Sequence, residues 1–360
     1  MRPLFVYLFS FFCMFANAFA FASPASLYLE QQGFANSEAV PLSFISKKWQ
    51  SDHQTGEFSE GLLEIENGVR IGDAGYAFLY RYDIQAKYHP DTIDFFFNVK
   101  NRLPLEDGRT YTLAMEINQF RAFGVRGFRR MHVKKNLSFD IGVSLLRAHF
   151  VTLGSMRGEV SSLTAPDYDF NFDVDYSYSE DYLFDRPVQG PTGWGVATDV
   201  TVRWKPLSQL DIEFAVQDAL GFIVWPEAPH TQASADSSVK RYDENGYQYY
   251  QPVMSGKESH QRVTQQLRPR IRLSSTYASR MGFLATGQIF TIRYQTYLDT
   301  GIGYKIGNTQ LVLSRIWGAG AYQLSVRGKY WHLAIAADHS ELDKTHSAVA
   351  NLGFSIPLHW

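Results

Sequence analysis

The order of apolar and polar positions sorts the chain into segments that alternate at period two, the pattern of a strand with one apolar face. From Tyr168 to Tyr178, the residues Tyr168, Phe170, Phe172, Val174, Tyr176 and Tyr178 share one face, and Asp169, Asn171, Asp173, Asp175 and Ser177 share the other. A helix would mix the two sets. The same sorting places Phe78, Tyr80, Tyr82, Ile84, Ala86 and Tyr88 opposite Leu79, Arg81, Asp83, Gln85 and Lys87. It also places Trp194, Val196, Thr198, Val200, Val202 and Trp204 opposite Ala197, Asp199, Thr201 and Arg203. Shorter examples cover residues 93–99, 111–117, 137–145, 210–216, 331–337 and 348–360.

Alternation suits a soluble β-sandwich as well, and the spacing of aromatics separates the two. Phe78 and Tyr88, Tyr168 and Tyr178, Trp194 and Trp204, and Tyr294 and Tyr304 each stand ten residues apart on one face. That interval is roughly 33 Å of strand at about 3.3 Å per residue. At a tilt of about 40° it projects to roughly 25 Å, the height of the lipid-facing band between the two aromatic girdles of a membrane barrel. A sandwich strand averages about five or six residues and has no reason to keep this interval. These eight residues are therefore the expected membrane girdle, since Tyr and Trp offer a ring to lipid and a polar tip to headgroups.

The last residues carry a second signal. Asn351, Gly353, Ile356, Leu358 and Trp360 resemble the C-terminal strand motif of Gram-negative outer-membrane β-barrel proteins: a polar residue, then Gly, two alternating apolar residues and a closing aromatic. The resemblance implies location in the outer membrane, contact with its lipid, and reading of this segment by the barrel assembly machinery during insertion. The chain departs from the motif in closing on Trp where Phe is usual, and Pro357 removes one ladder donor. The fold class expected is all-β, a transmembrane antiparallel up-and-down barrel of about 16 strands. Counts of 14 to 18 follow from whether 120–133 continues a strand or forms another.

The opening residues fit export. Arg2 precedes an apolar run from Leu4 to about Phe15, followed by Ala16, Ala18, Ala20 and Ala22, which makes residues 1–22 a signal peptide cleaved after Ala20 or Ala22. The run is short for a retained anchor helix. Cys13 falls inside it without a lipoprotein-type arrangement, so the mature chain, residues 23–360, has no cysteine. Its formal charge is near −3, from 36 acidic residues and the 33 Lys and Arg left once Arg2 is removed from 34. That excludes nucleic acid as an expected partner.

Counting back from Trp360 in the periplasm, short turns fall at 327–330, 307–308, 278–280, 206–208, 165–167 and 133–136. Outward loops fall at 338–346, 180–191 and, longest, about 221–263. No repeat or linker divides residues 23–360, which read as one domain.

With the apolar faces in lipid, the opposite faces line the lumen and carry both signs of charge. The pore-lining candidates are the basic ladder Arg268, Arg270 and Arg272, the acidic ladder Asp169, Asp173 and Asp175, and Arg81 with Asp83. Two uses are open: a transverse field at a constriction, or neutralisation between neighbouring strands, with Asp211 and Glu213 facing the arginines. The expected function is a porin-like or transport channel passing a small polar solute. The alternative is a non-conducting barrel that acts as a surface receptor, adhesin or envelope-assembly component through its long loop, toward an unknown surface partner. No enzyme is expected: Ser144 and His149 have an odd separation, and His132, His332 and His359 stand alone, without Gly-x-Ser-x-Gly or metal spacing. Asp243, Glu244 and Asn245 lack the spacing of a calcium loop. No cofactor or metal is expected.

Overall fold

A computed structural model describes residues 24–45, 53–164, 167–183, 186–237, 240–242, 245, 248–250 and 253–358. The proposed signal peptide, Cys13, Asp243, Glu244, His359 and Trp360 lie outside these residues. The strands, in chain order, are β1 (Ala25–Ser37), β2 (Phe58–Ile71), β3 (Ala74–Tyr88), β4 (Thr110–Lys134), β5 (Leu137–Thr164), β6 (Asp167–Tyr178), β7 (Gly193–Leu207), β8 (Leu210–Asp236) and β9 (Lys240–Tyr242). They continue as β10 (Gln248–Tyr250), β11 (Val253–Gln266), β12 (Arg270–Ala278), β13 (Phe283–Thr291), β14 (Thr296–Ile306), β15 (Thr309–Trp317), β16 (Ala321–Arg327), β17 (Trp331–Ala337) and β18 (Ser347–Leu358). One α-helix of note, α1, runs Pro90–Asn101.

Among the described residues, 14 strands close an antiparallel barrel and two more extend it. The closed path is β1 to β5, β7, β8 and β12 to β18, with β18 returning to β1 in the register Leu27↔Ile356. β6 and β11 pair only with the outer lengths of β5 and β8. The expected count of about 16 therefore holds, although β6 and β11 do not cross with the rest. Residues 120–133 belong to the single strand β4.

Strand directions set the two ends. Short turns join β2 to β3, β4 to β5, β7 to β8, β12 to β13, β14 to β15 and β16 to β17, the end that faces the periplasm in such barrels. Gly307 starts the turn between β14 and β15 with φ +59°, a conformation that glycine adopts without steric cost. Three expectations are corrected here. Of the long loop expected at about 221–263, residues 221–236 continue β8 and 253–263 belong to β11, which pairs back along it. The periplasmic turn expected at 165–167 is not at that end: residues 165 and 166 lie outside the described residues, but β5 runs 28 residues to Thr164 and β6 pairs back along its outer length. Residues 93–99 are helical: Pro90 opens α1, Asp91 sits in its first turn, and Ile93 and Phe95 are buried. A short apolar run does not distinguish strand from helix.

The outward face of the wall is apolar along its length. Leu298, Ile302, Leu311, Leu313, Leu324, Ile335, Phe354 and Ile356 are exposed. A water-soluble protein does not leave so continuous an apolar surface bare. Trp204, Tyr304 and Trp331 stand toward the periplasmic end, and Trp194, Trp317 and Tyr322 toward the outer end. Arginines stack on the outer rings, with Arg147 4.5 Å from the Trp194 ring and Arg315 4.3 Å from that of Trp317. The closed sheet with an apolar outward wall is that of a transmembrane β-barrel. No described helix is long and apolar enough to cross a membrane.

Candidate functional site: a bridged lumen

The inward positions of β2, β3, β4, β7, β8 and β12 bring a network of charges together. Both terminal guanidinium nitrogens of Arg81, on β3, donate to Asp218 on β8, at 2.8 and 2.7 Å. β4, β5 and β7 lie between those two strands in the wall, so this contact is a chord across the lumen. Arg81 also stands 3.4 Å from Glu64 and 3.5 Å from Asp83. Arg270, on β12, is 3.5 Å from both Glu64 and Asp218 and 3.9 Å from Asp83. Alongside, Arg126 pairs with Glu66 and with Asp199, the latter at 3.0 Å.

Arg81, Asp218 and Arg270 are 5%, 2% and 7% exposed, so this part of the lumen is packed rather than filled with water. Charges so buried persist only where each is paired and hydrogen-bonded. Asp218 holds a left-handed backbone, φ +54°, at a register shift in β8, and its N–H donates to Asp199 Oδ1 at 3.0 Å. A non-glycine residue in that region costs on the order of 1–3 kcal/mol and persists where its surroundings over-determine it. The shift turns Asp218 inward, toward Arg81.

Apolar packing flanks the bridge on both sides. Leu79, Phe120, Leu146, Ile223 and Trp225 form one cluster, with Trp225 Nε1 donating to Gln265 at 3.0 Å. Gly193 makes room for it, since a Cβ there would lie 2.8 Å from the Trp225 ring. Phe34, Phe290, Tyr297, Ile292 and Ile316 form the other. The Tyr297 hydroxyl donates to Glu60 at 2.7 Å and accepts from Asn36 at 2.8 Å.

The inward faces of β12 to β18 differ. They carry Ser274, Thr286, Gln288, Asp299, Ser314, Gln323, Ser325 and Asn351 around a cavity of about 590 Å³, whose lining extends to Lys205, Ala278, Gln310 and Arg327 beside the periplasmic turns. A smaller space of about 160 Å³ shares several of these residues and ends against Arg270, Phe34 and Phe290.

The sequence-chosen residues divide as follows. Arg81, Asp83 and Arg270 belong to the bridge. Arg272 lines the cavity and pairs with Glu213 at 3.1 Å, the neutralisation between neighbours that the sequence allowed. Arg268 is exposed between β11 and β12, outside the network. Asp169, Asp173 and Asp175 lie on β6 in the outer extension and accept from Ser237, Ser234 and Gln232 at 3.2, 2.5 and 2.8 Å. The two ladders are not brought together.

Of the girdle set, Phe78, Tyr168, Trp194, Trp204 and Tyr304 are exposed. Tyr168 sits on β6 and meets Phe95 of α1 edge to face. Tyr88 is buried and donates to the Phe58 carbonyl, Tyr178 is buried against Thr231, and Tyr294 lies in the β13–β14 connection. Gly353, Ile356 and Leu358 lie on the closing strand, Gly353 beneath the His332 ring. Ser144 is buried inward, while His149 stacks on Phe123 on the outer wall. Sequence reasoning missed Glu60, Glu64, Glu66, Arg126, Asp218, Trp225 and Tyr297. The inward parity of β2 was a usable signal for the glutamates, but nothing local told that their partners lay across the lumen. No described group of His, Cys, Asp and Glu is arranged to hold a metal.

The model of a family of unknown function, DUF5723, matches residues 127–360. No curated protein matches the chain. Among solved structures, a deletion mutant of the TodX monoaromatic hydrocarbon channel is similar at 9% identity and a TM-score of 0.46, over 96% of this chain and 92% of that one. The CymD monoaromatic hydrocarbon channel gives 10% and 0.43 over 94% and 89%. The Ralstonia pickettii toluene transporter TbuX gives 9% and 0.34 over 94% and 90%. Likenesses this weak carry no functional argument.

Proposed function

The chain belongs to that family of unknown function, and since membership assigns no activity, we propose from the barrel interior that it is an outer-membrane transport channel for a small polar solute, closed in this conformation by the Arg81–Asp218 bridge. The observation that carries the reading is a polar cavity, reaching toward the periplasmic turns, that adjoins a smaller space ending against Arg270 of the side-chain bridge. Amides and hydroxyls on its wall supply donors and acceptors for an uncharged polar solute. Because the closure is built from Arg81 and Arg270 rather than a folded plug, swinging two side chains widens the bore while the hydrogen-bonded wall stays intact. Arg81, Asp83, Arg270 and Arg272 are the pore-lining residues in this reading, and Asp169, Asp173, Asp175 and Arg268 belong to its outer approach.

Planar-bilayer conductance tests the proposal. The wild-type barrel should open rarely, and Arg81→Ala combined with Arg270→Ala should give steady openings that favour cations, because Glu64, Asp83 and Asp218 remain. A folded, heat-modifiable double variant that never conducts overturns it. The burial of Trp225, Gln265 and Tyr297, each 0% exposed, favours a second reading, a permanently packed barrel acting at its outer extension. Replacing residues 238–252 by a short Gly-Ser linker would then abolish surface binding and leave the barrel folded.

A further inference from the structure

The outer wall holds a further cavity that a lumenal channel does not use. α1 lies over the outward face of β3 and β4 beyond the aromatic girdle, where Ile93 meets Ala86 and Tyr88. Between α1, β4, β5, β6 and the residues after β6 is a cavity of about 430 Å³. That is within the roughly 300–1,000 Å³ of small-molecule pockets. Ile93 and Phe96 wall it from the helix, with Ile117, Met156 and Val174 from the strands.

Two further observations point to a ligand. Thr152 lines the cavity, is 6% exposed, and its hydroxyl has no hydrogen-bond partner. Such a group bears a desolvation cost that a polar ligand atom relieves. Positive charge stands at the margin as well. Lys100 of α1 is part of the lining, and Arg121 lies two positions along β4 from Gln119, the residue that pairs with Thr152. The Arg121 guanidinium rests 4.4 Å from the Phe150 ring centroid and 5.3 Å from that of Tyr82, fixed at the level where lipid chains give way to headgroups.

We propose that this pocket binds one acyl chain of an anionic amphiphile, with the chain beneath α1 and the head at Arg121 and Lys100. The wall selects a hydrocarbon chain because almost all of the surface it presents to the cavity is apolar. The position on the outward face, just beyond the girdle, selects a ligand that enters from the adjoining membrane surface. The charge selects an anionic head. The chain has two sources, a free long-chain carboxylate or an anionic lipid of the bilayer, and both present the same chemistry. The site is independent of whether the lumen conducts.

The test uses the full mature barrel in phosphatidylcholine vesicles doped with a photoactivatable long-chain fatty acid and, in a parallel arm, with a photoactivatable phosphatidylglycerol. Labelled peptides are mapped by mass spectrometry. Labelling should concentrate at least fivefold in residues 93–100, 115–117, 152–156 and 174–183 over other outward-facing strand segments. Unlabelled palmitate should compete in the fatty-acid arm and hexanoate should not. Ile117→Trp, which fills the cavity from a half-buried position, should remove the enrichment, and Arg121→Gln should reduce it about threefold in whichever arm labels. Enrichment with the fatty acid alone identifies a free carboxylate as the source, and enrichment in both arms identifies any anionic acyl lipid. Labelling that follows surface exposure around the whole barrel, or that persists in folded Ile117→Trp, overturns the proposal.

Discussion

The two sides of the lumen wall have the same outside and opposite insides. On β12 to β18 and on β2 to β8 alike, outward residues are apolar and alternate with inward ones, but β13 to β18 turn Gln, Ser, Asp and Asn toward a cavity, whereas β2 to β8 turn Arg81, Glu64, Asp218 and Trp225 toward one another. The outward face answers to one solvent, lipid, and so is uniform. The inward face answers either to water or to whichever side chain reaches it from across the barrel. One side therefore acts as a wall and the other as a core.

The largest way to break that contrast is to remove a charge from the core side. Arg81→Ala leaves Asp218, Glu64 and Asp83 with fewer cations in a buried place, and it should lower the unfolding free energy of the barrel in vesicles by about 3–5 kcal/mol. Gln323→Ala on the open side should stay within about 0.5 kcal/mol in the same urea titration. Equal losses at both positions would mean that the sides do not differ in packing.

Trp225→Ala extends the argument to apolar packing. It empties space beside Ile223 and Leu146 and strips Gln265 of a donor, a loss of about 3–5 kcal/mol. Trp204→Ala, on the outward wall and 46% exposed, should cost well under half as much. Tyr297→Phe comes next, at the outer end of β14, where the open side itself closes against Phe34 and Phe290. It keeps the ring stacked on Phe290 but takes one donor from buried Glu60, and about 1–3 kcal/mol should be lost, with no new conductance.

The contrast also explains what the residues disclosed in advance. Lipid imposes its requirement position by position, so the outward set on β7, from Trp194 to Trp204, was legible in the alternation alone, as were the turns at 206–208 and 307–308. The bridge was not. Arg270 and Arg272 stand two residues apart with the same chemistry, yet Arg272 pairs only with Glu213 of the neighbouring β8 among the described ion pairs, while Arg270 also reaches Glu64 of β2 and Asp83 of β3 across the lumen, a division that their spacing does not reveal. The run from Tyr168 to Tyr178 misled for a related reason. Its apolar face is covered by α1 and by its own neighbours in the extension rather than by lipid, and period-two alternation reports an apolar face without saying what covers it.

That cover supplies the smallest of the expected effects, and it lies outside the membrane wall. Asp91, in the first turn of α1, accepts from Arg109 at 2.7 Å and from the Thr112 amide at 3.1 Å. Partial burial raises its carboxyl, but the Thr112 amide and the Arg109 guanidinium outweigh that and hold it below the usual 3.8. A carboxylate depressed in the folded state stabilises fully above the unfolded value and loses that contribution as pH falls through the lower folded value. The docking of α1 should therefore be flat with pH above about 4 and weaken below it, seen as reduced amide protection at residues 95–101 relative to β15. Asp91→Asn should weaken α1 at neutral pH and reduce the acid dependence, while Asp94 keeps its own contact with Arg109 at 2.9 Å. If the wild-type helix keeps the same protection at pH 3 as at pH 6, the cover is held by Ile93 and Phe95 alone, and the Arg109 pair contributes nothing to it.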